Sequence, residues 1–285
     1  MRPRKIPAID TLIGFRNERQ VHHVASAKDQ GVRHPAEYMF KDIPADLDTS
    51  DRSGSIEETL ELMDRHNIRY GMTNLSDPLT AQAVRRYPDR FIASVSADAN
   101  RGMEAVRAIV RAKEEHGIRA VTTFPSGLHP PVPINHRLWY PIYAKCIELD
   151  LPIFIPVGVP GPRIPMMPQY VGHLDEVCYD FPELKVVMRH GAEPWEDLAV
   201  KLLLKWPNLY YSTSAFAPKY YPEAVIRFAN TRGADKMIYA GYFPFGLELD
   251  RTFKELDDVP FKPDVWWKFL YDNAAHVLGL EPRTA

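Results

Sequence analysis

At 285 residues, 45% apolar and 25% charged with a net charge of −2, the chain has the composition of a globular protein able to bury a full core. The near-neutral balance, with no long single-sign run, argues against nucleic acid or an anionic membrane surface as partner. Its longest apolar runs, such as Leu151–Val159, fall well short of the ~20 residues that span a bilayer. Met1-Arg-Pro-Arg-Lys5 leads into no apolar stretch of the secretory kind, so a cytoplasmic protein is expected. Cys146 and Cys178 both lie on amphipathic helical segments and read as buried free thiols in a reducing compartment.

In chain order, Pro7–Ile13 is a short apolar run that reads as the first strand. Gly14–Ser53 follows with no clear period and carries His22, His23, Arg33 and His34. A connection of that length is usually functional, and here it is expected to cap a site. Ser55-Ile-Glu-Glu58 is a capping box that opens a helix to Arg65, with Ile56, Leu60 and Met63 on one face. Strands are then expected at Ile68–Leu75, Phe91–Ala97, Ile118–Phe124, Leu151–Val157, Lys185–His190, Leu209–Thr213 and Lys236–Ala240. Helices are expected between them at Thr80–Tyr87, Met103–His116, His136–Leu149, Pro168–Tyr179, Pro194–Trp206 and Pro222–Arg232, and at the end over Pro263–Leu278. Gly117 and Gly233 are placed as the residues that stop two of these helices.

Eight strand-like runs alternating with helices specify a (β/α)8 TIM barrel, a single domain over residues 1–285 with a long first βα loop. No Gly-x-Gly-x-x-Gly follows the first strand to support a doubly wound sheet instead. In a barrel the chemistry gathers at the carboxyl ends of the strands. His190 stands at one such end, ahead of the turn at Gly191.

Five stretches carry a family resemblance: Asp150–Gly158, Phe181–His190, Trp206–Ser214, Asp235–Pro244 and Asn273–Leu280. On these the chain resembles the amidohydrolase-related family, in the barrel branch that includes aminocarboxymuconate-semialdehyde decarboxylase and 2-pyrone-4,6-dicarboxylate lactonase. The resemblance implies a divalent metal held by a His-x-His after the first strand, histidines after the fifth and sixth, and an Asp after the eighth. Here Leu12 and Gly14 stand in place of the His-x-His, Pro156-Val157-Gly158 in place of His-Pro-Gly, and Tyr242 in place of the Asp. His190 alone is retained, and one imidazole holds no metal. No metal and no cofactor are therefore expected, unless His22, His23, His34 or His129 rebuild a site.

What the resemblance then implies is a metal-independent hydrolase acting on a small cyclic or aromatic carboxylate or lactone. A non-oxidative decarboxylase of an aromatic acid and a non-catalytic ligand- or partner-binding barrel are the alternatives. His190 is expected as general acid/base, Glu193 as its partner and Tyr242 as an oxyanion donor. Arg16 and Arg163, on loops beyond the first and fifth strands, are expected to anchor a substrate carboxylate, and Ser212 to hydrogen-bond the substrate. Structural roles stay open for each: a helix-entry carboxylate for Glu193, a filled metal pocket for Tyr242, solvated charges for the arginines, a turn for Ser212. Arg189, alternating with His190, is expected to face the helices in an ion pair. A small molecule is the expected partner, and by family habit the chain is expected to be a homodimer.

Overall fold

The computed structural model describes residues 2, 3, 5–16 and 55–282. Its eight strands are β1 Ala8–Asp10, β2 Ile68–Asn74, β3 Phe91–Ser96, β4 Ala120–Thr122, β5 Ile153–Pro156, β6 Val186–Arg189, β7 Leu209–Ser212 and β8 Met237–Ile238. They pair in sequence order, every neighbouring pair parallel. The helices between them are α1 Ser55–Arg65, α2 Pro78–Arg86, α3 Met103–His116, α4 Tyr140–Glu148, α5 His173–Asp180, α6 Glu196–Lys205 and α7 Glu223–Ala229. After β8 come α8 Leu249–Leu256, α9 Pro263–Trp267 and α10 Asn273–Leu278, with a π-helical turn at Lys268–Asp272 joining the last two.

The sheet curls on itself because alternate residues of parallel strands need cover on both faces. Ile9, Met72, Ile92, Ala120, Phe154, Val187, Tyr210 and Ile238, one from each strand, pack together as the barrel interior. Their neighbours, such as Ile153, Val186 and Met188, face the helices in the larger outer core. At the seam between β8 and β1, the Thr11 hydroxyl donates to the Tyr239 carbonyl at 3.1 Å and the Gly14 N–H to the Phe243 carbonyl at 2.8 Å. The fold is the expected (β/α)8 barrel.

Several local expectations change. The first strand stops at Asp10, short of Ile13, and the end of the chain is two short helices about a π turn, not one helix. α8 was not expected at all, although Leu249, Thr252, Phe253 and Leu256 are buried along one face at helical spacing. Gly117 closes α3 in the left-handed conformation, φ 60°, as expected. Gly233 does not close α7, which ends at Ala229 with Asn230 as its C-cap. Cys146 and Cys178 are buried free thiols, with burial pushing each thiol up to about 12. No helix among the described residues is long and apolar enough to cross a membrane.

Candidate functional site

β6 supplies the central feature. Val187 faces the barrel interior, so two residues on, Arg189 does too. This corrects the expectation that Arg189 faces the helices in an ion pair. Its guanidinium lies over the Phe154 ring at 4.7 Å, and Nη2 donates to the Thr11 carbonyl at 2.8 Å. Its Nε is buried without an acceptor, and no carboxylate stands within ion-pair distance of it among the described residues. Burial, offset in part by the charge of Asp10, pushes this guanidinium down to about 9.

His190 leaves the strand's alternation altogether. It has φ 65°, followed by Gly191 at 81° and Ala192 at 64°. Two non-glycine residues in the left-handed region within one turn are backbone strain of the kind that collects at functional sites. The side chain is fixed by Ser214 at the end of β7. The His190 N–H donates to the Ser214 Oγ at 3.2 Å, and the same Oγ lies 3.1 Å from the ring Nδ1. The hydroxyl oxygen has two acceptor lone pairs, so which atom donates in the second contact is set by the ring tautomer. Burial, with the Arg189 charge adding to it, pushes the imidazole down to about 3, so the ring is neutral near pH 7.

Tyr242, after β8, meets the His190 ring edge to face at 5.7 Å. Burial raises its phenol above the ordinary tyrosine value, against a smaller opposing effect of Arg189, so it keeps its proton. Glu193 is half-buried and its carboxyl is raised, by burial and then by Glu196. It makes no hydrogen bond to His190 among the described residues. The partner of His190 is Ser214, not the Glu193 expected.

The proposed carboxylate anchors also find other surroundings. Arg16 forks both oxygens of Glu248, at 2.9 and 2.8 Å, and gives its Nε to Glu58 at 2.9 Å. That guanidinium is already held by two carboxylates. Arg163 is exposed. Ser212 is fully buried beside Arg189 on the neighbouring strand, and its hydroxyl has no partner among the described residues.

Two groups that sequence reasoning passed over complete the mouth. Asp10 is fully buried at the end of β1, and its Oδ1 accepts from the N–H groups of Leu12, at 3.0 Å, and Gly241, at 2.9 Å. Burial outweighs those bonds and the Arg189 charge, and the carboxyl rises to about 7. Across the barrel, Asn74 Nδ2 donates to Thr122 Oγ1 at 2.9 Å and to Ser94 Oγ at 3.2 Å, while Ser96 Oγ donates to Asn74 Oδ1 at 3.1 Å. A cavity of about 210 Å³ opens between the two sides, with Leu12, Met72, Asn74, Ser94, Arg189 and Phe245 among its lining. His190 and Tyr242 do not line it; they stand behind Arg189, whose charge reaches both.

The donor set of the described residues does not fit the divalent metal that the resemblance implies. Among the described residues no three His, Cys, Asp or Glu side chains come together in a way that could hold an ion. Leu12 and Gly14 bring no donor atom, and Tyr242 stands beside His190 as a protonated phenol. His129 is exposed, and His22, His23 and His34 lie outside the described residues, as does most of the loop expected to cap the mouth.

A buried cation, a strained histidine and a protonated phenol thus gather at the carboxyl ends of the strands of an α/β barrel. A sequence model described as amidohydrolase matches residues 21–280, and the chain belongs to that family. An uncharacterized TIM-barrel protein from Bordetella bronchiseptica is 24% identical, with 96% of this chain and 99% of that one covered and a TM-score of 0.77. The 5-carboxyvanillate decarboxylase of Novosphingobium aromaticivorans, complexed with manganese and 4-hydroxy-3-methoxy-5-nitrobenzoic acid, is 18% identical over 97% of each chain, TM-score 0.70. The 2,6-dihydroxybenzoate decarboxylase from Rhizobium is 14% identical over 84% of this chain and 88% of that one, TM-score 0.62. No curated protein sequence matches.

Proposed function

We propose that this chain is a metal-independent enzyme acting on a small aromatic or cyclic carboxylic acid, and that the reaction is loss of carbon dioxide. The observation that carries the choice is the state of His190. Hydrolysis needs a base able to take a proton from water near neutrality. His190 is bonded to a serine and not to a carboxylate, and is pushed down to about 3, which makes it a weak base. Decarboxylation asks for something else. The bond from the ring carbon to the carboxylate breaks, its electron pair stays on carbon, carbon dioxide leaves neutral, and a proton is delivered to that carbon.

In this reading the proton comes from water entering the cavity, which leaves hydroxide to the solvent, since the protonated Tyr242 phenol does not line the cavity. His190, neutral and held by Ser214, has no direct acid/base role in this reading and instead fixes the strand end that carries Arg189. That two decarboxylases of aromatic acids share the fold supports the reading. The free buried thiols agree with a cytoplasmic setting.

The test offers 2,6-dihydroxybenzoate and 5-carboxyvanillate carrying a labelled carboxyl carbon. Labelled carbon dioxide is the expected product, unchanged in rate after exhaustive chelation. Heavy oxygen entering the product of a lactone substrate from labelled water would restore hydrolysis. A stoichiometric divalent metal whose removal abolishes turnover would end the metal-independent reading.

A further inference from the structure

Arg16 has no part in the proposed reaction, and its surroundings point to another role. After β8 the chain makes a tight turn. Tyr242 and Leu247 pair across it, the Phe245 N–H donates to the Tyr242 carbonyl at 2.7 Å, and Gly246 bends the backbone at φ 104°. Phe245 is carried at the tip, where it is 45% exposed and yet lines the cavity, its ring 5.6 Å from that of Tyr242. Leu12, Ile13 and Met72 line the cavity with it, so this wall is apolar. Asp77 and Arg189 bring one charge of each sign to the rest of the lining, beside the polar Asn74 and Ser94.

The turn is held at its base by the stretch that follows β1. The Gly14 N–H donates to the Phe243 carbonyl at 2.8 Å. A Cβ on Gly14 would lie 3.3 Å from Pro244 and 3.5 Å from the Phe245 ring, so a residue without a side chain lets the turn close in. Arg16 then joins three elements. Its guanidinium lies over the Phe243 ring at 4.9 Å, gives Nη2 to both oxygens of Glu248 at the end of the turn, and gives Nε to Glu58 on α1. All three charged groups are partly exposed, and ion pairs of that kind add little stability. What one planar guanidinium with three such contacts does supply is a fixed geometry.

We infer that Phe245 sets the size of ligand the cavity admits, and that Arg16, which does not line the cavity, is the positioning residue that holds Phe245 over it. An apolar cavity of about 150 Å³ holds benzene, so about 210 Å³ leaves room for one ring with its substituents and excludes two fused rings. Shortening Phe245 adds the space of its own ring to the cavity. Freeing Arg16 leaves that ring in place but lets the turn carrying it give way. The inference rests on the proposed function only in taking this cavity as the substrate's, and it holds for hydrolysis as for decarboxylation.

Two neutral ethers without a carboxyl group test it by calorimetry on the purified chain: anisole, with one ring, and 2-methoxynaphthalene, with two. The unaltered chain is expected to bind anisole about tenfold or more tightly than the naphthyl ether. Phe245→Ala is expected to reverse that order by gaining the naphthyl ether, and Phe245→Leu to admit it in part. Arg16→Met is expected to bind the naphthyl ether roughly fivefold more tightly than the parent does, with Arg16→Lys restoring the exclusion. Added to Phe245→Ala, Arg16→Met should change nothing further, because the two act through one wall. A residue that only stabilised the fold would weaken both ethers alike and open no new specificity. Should Arg16→Met not fold, Glu248→Gln loosens the same contact in its place. Equal binding of the two ethers by the unaltered chain, or binding of neither, overturns the inference, and so does a Phe245→Ala protein that still excludes the larger one. A folded Arg16→Met protein with the parent's preference overturns the positioning role. No acid enters these titrations, so the expected ether specificity beside an absence of carbon dioxide from every acid removes the decarboxylation reading alone.

Discussion

Asp10 shows how a single buried carboxyl sets a pH dependence. Its ordinary value of 3.8 is raised in the fold to about 7, chiefly by burial. Between those values the unfolded chain has released the proton and the folded chain still holds it, so stability falls as pH rises from 3.8 to about 7. Asp10→Asn should remove that component. The amide oxygen keeps both backbone bonds made by Oδ1, and Nδ2 replaces the unpaired Oδ2 near the Tyr239 hydroxyl. Urea unfolding should find the variant more stable than the parent at about pH 8, by on the order of a few kcal/mol, and near parity at about pH 4. At the same scale, His190→Asn should fold normally, since Asn accepts the left-handed backbone, and lose only about tenfold in kcat/KM, because His190 positions Arg189 and does not line the cavity.

The side that Arg189 takes was legible and was misread. Reckoned from the apolar Val187, alternation puts Arg189 inside; reckoned from His190, it puts Arg189 outside. The second reckoning fails because His190, at φ 65°, no longer follows the strand. Nothing in the residue types around Gly191 announces three consecutive left-handed residues.

At the scale of elements, α8 carries weight its short length conceals. Phe253 is buried against Tyr239, ring centroids 5.6 Å apart, and stacks on His66 at 4.7 Å, tying the segment after β8 to the end of α1. Phe253→Ala should cost about 3–5 kcal/mol, read as a lower denaturant midpoint with unchanged slope. The β6–α6 turn makes a second element-level prediction. Gly191 sits at φ 81°, and a Cβ there would lie 2.5 Å from the Phe216 ring. Gly191→Ala should destabilise by roughly 1–3 kcal/mol and, by shifting the neighbouring His190, cost activity even at temperatures where the chain stays folded.

Across the whole molecule, the barrel is what brings β1, β6, β7 and β8 to one rim. Asp10 and Gly241 bond although most of the chain separates them, and so do Arg189 and Thr11. Removing the Arg189 contact should therefore loosen β1 as well as the site. Hydrogen exchange in Arg189→Met should rise at Leu12 and Gly14, next to the released Thr11 carbonyl, more than in β3 or β4.

The sequence by itself determined the order of strands and helices that makes the barrel, because apolar periodicity is a local property, and five stretches of it carried the family resemblance. Only the tertiary structure decided the partnerships: Ser214 in place of Glu193 beside His190, Arg16 spent on Glu58 and Glu248, and Arg189 turned inward over Phe154. Those depend on which way side chains point and on contacts between residues far apart in the chain, and residue order alone carries neither.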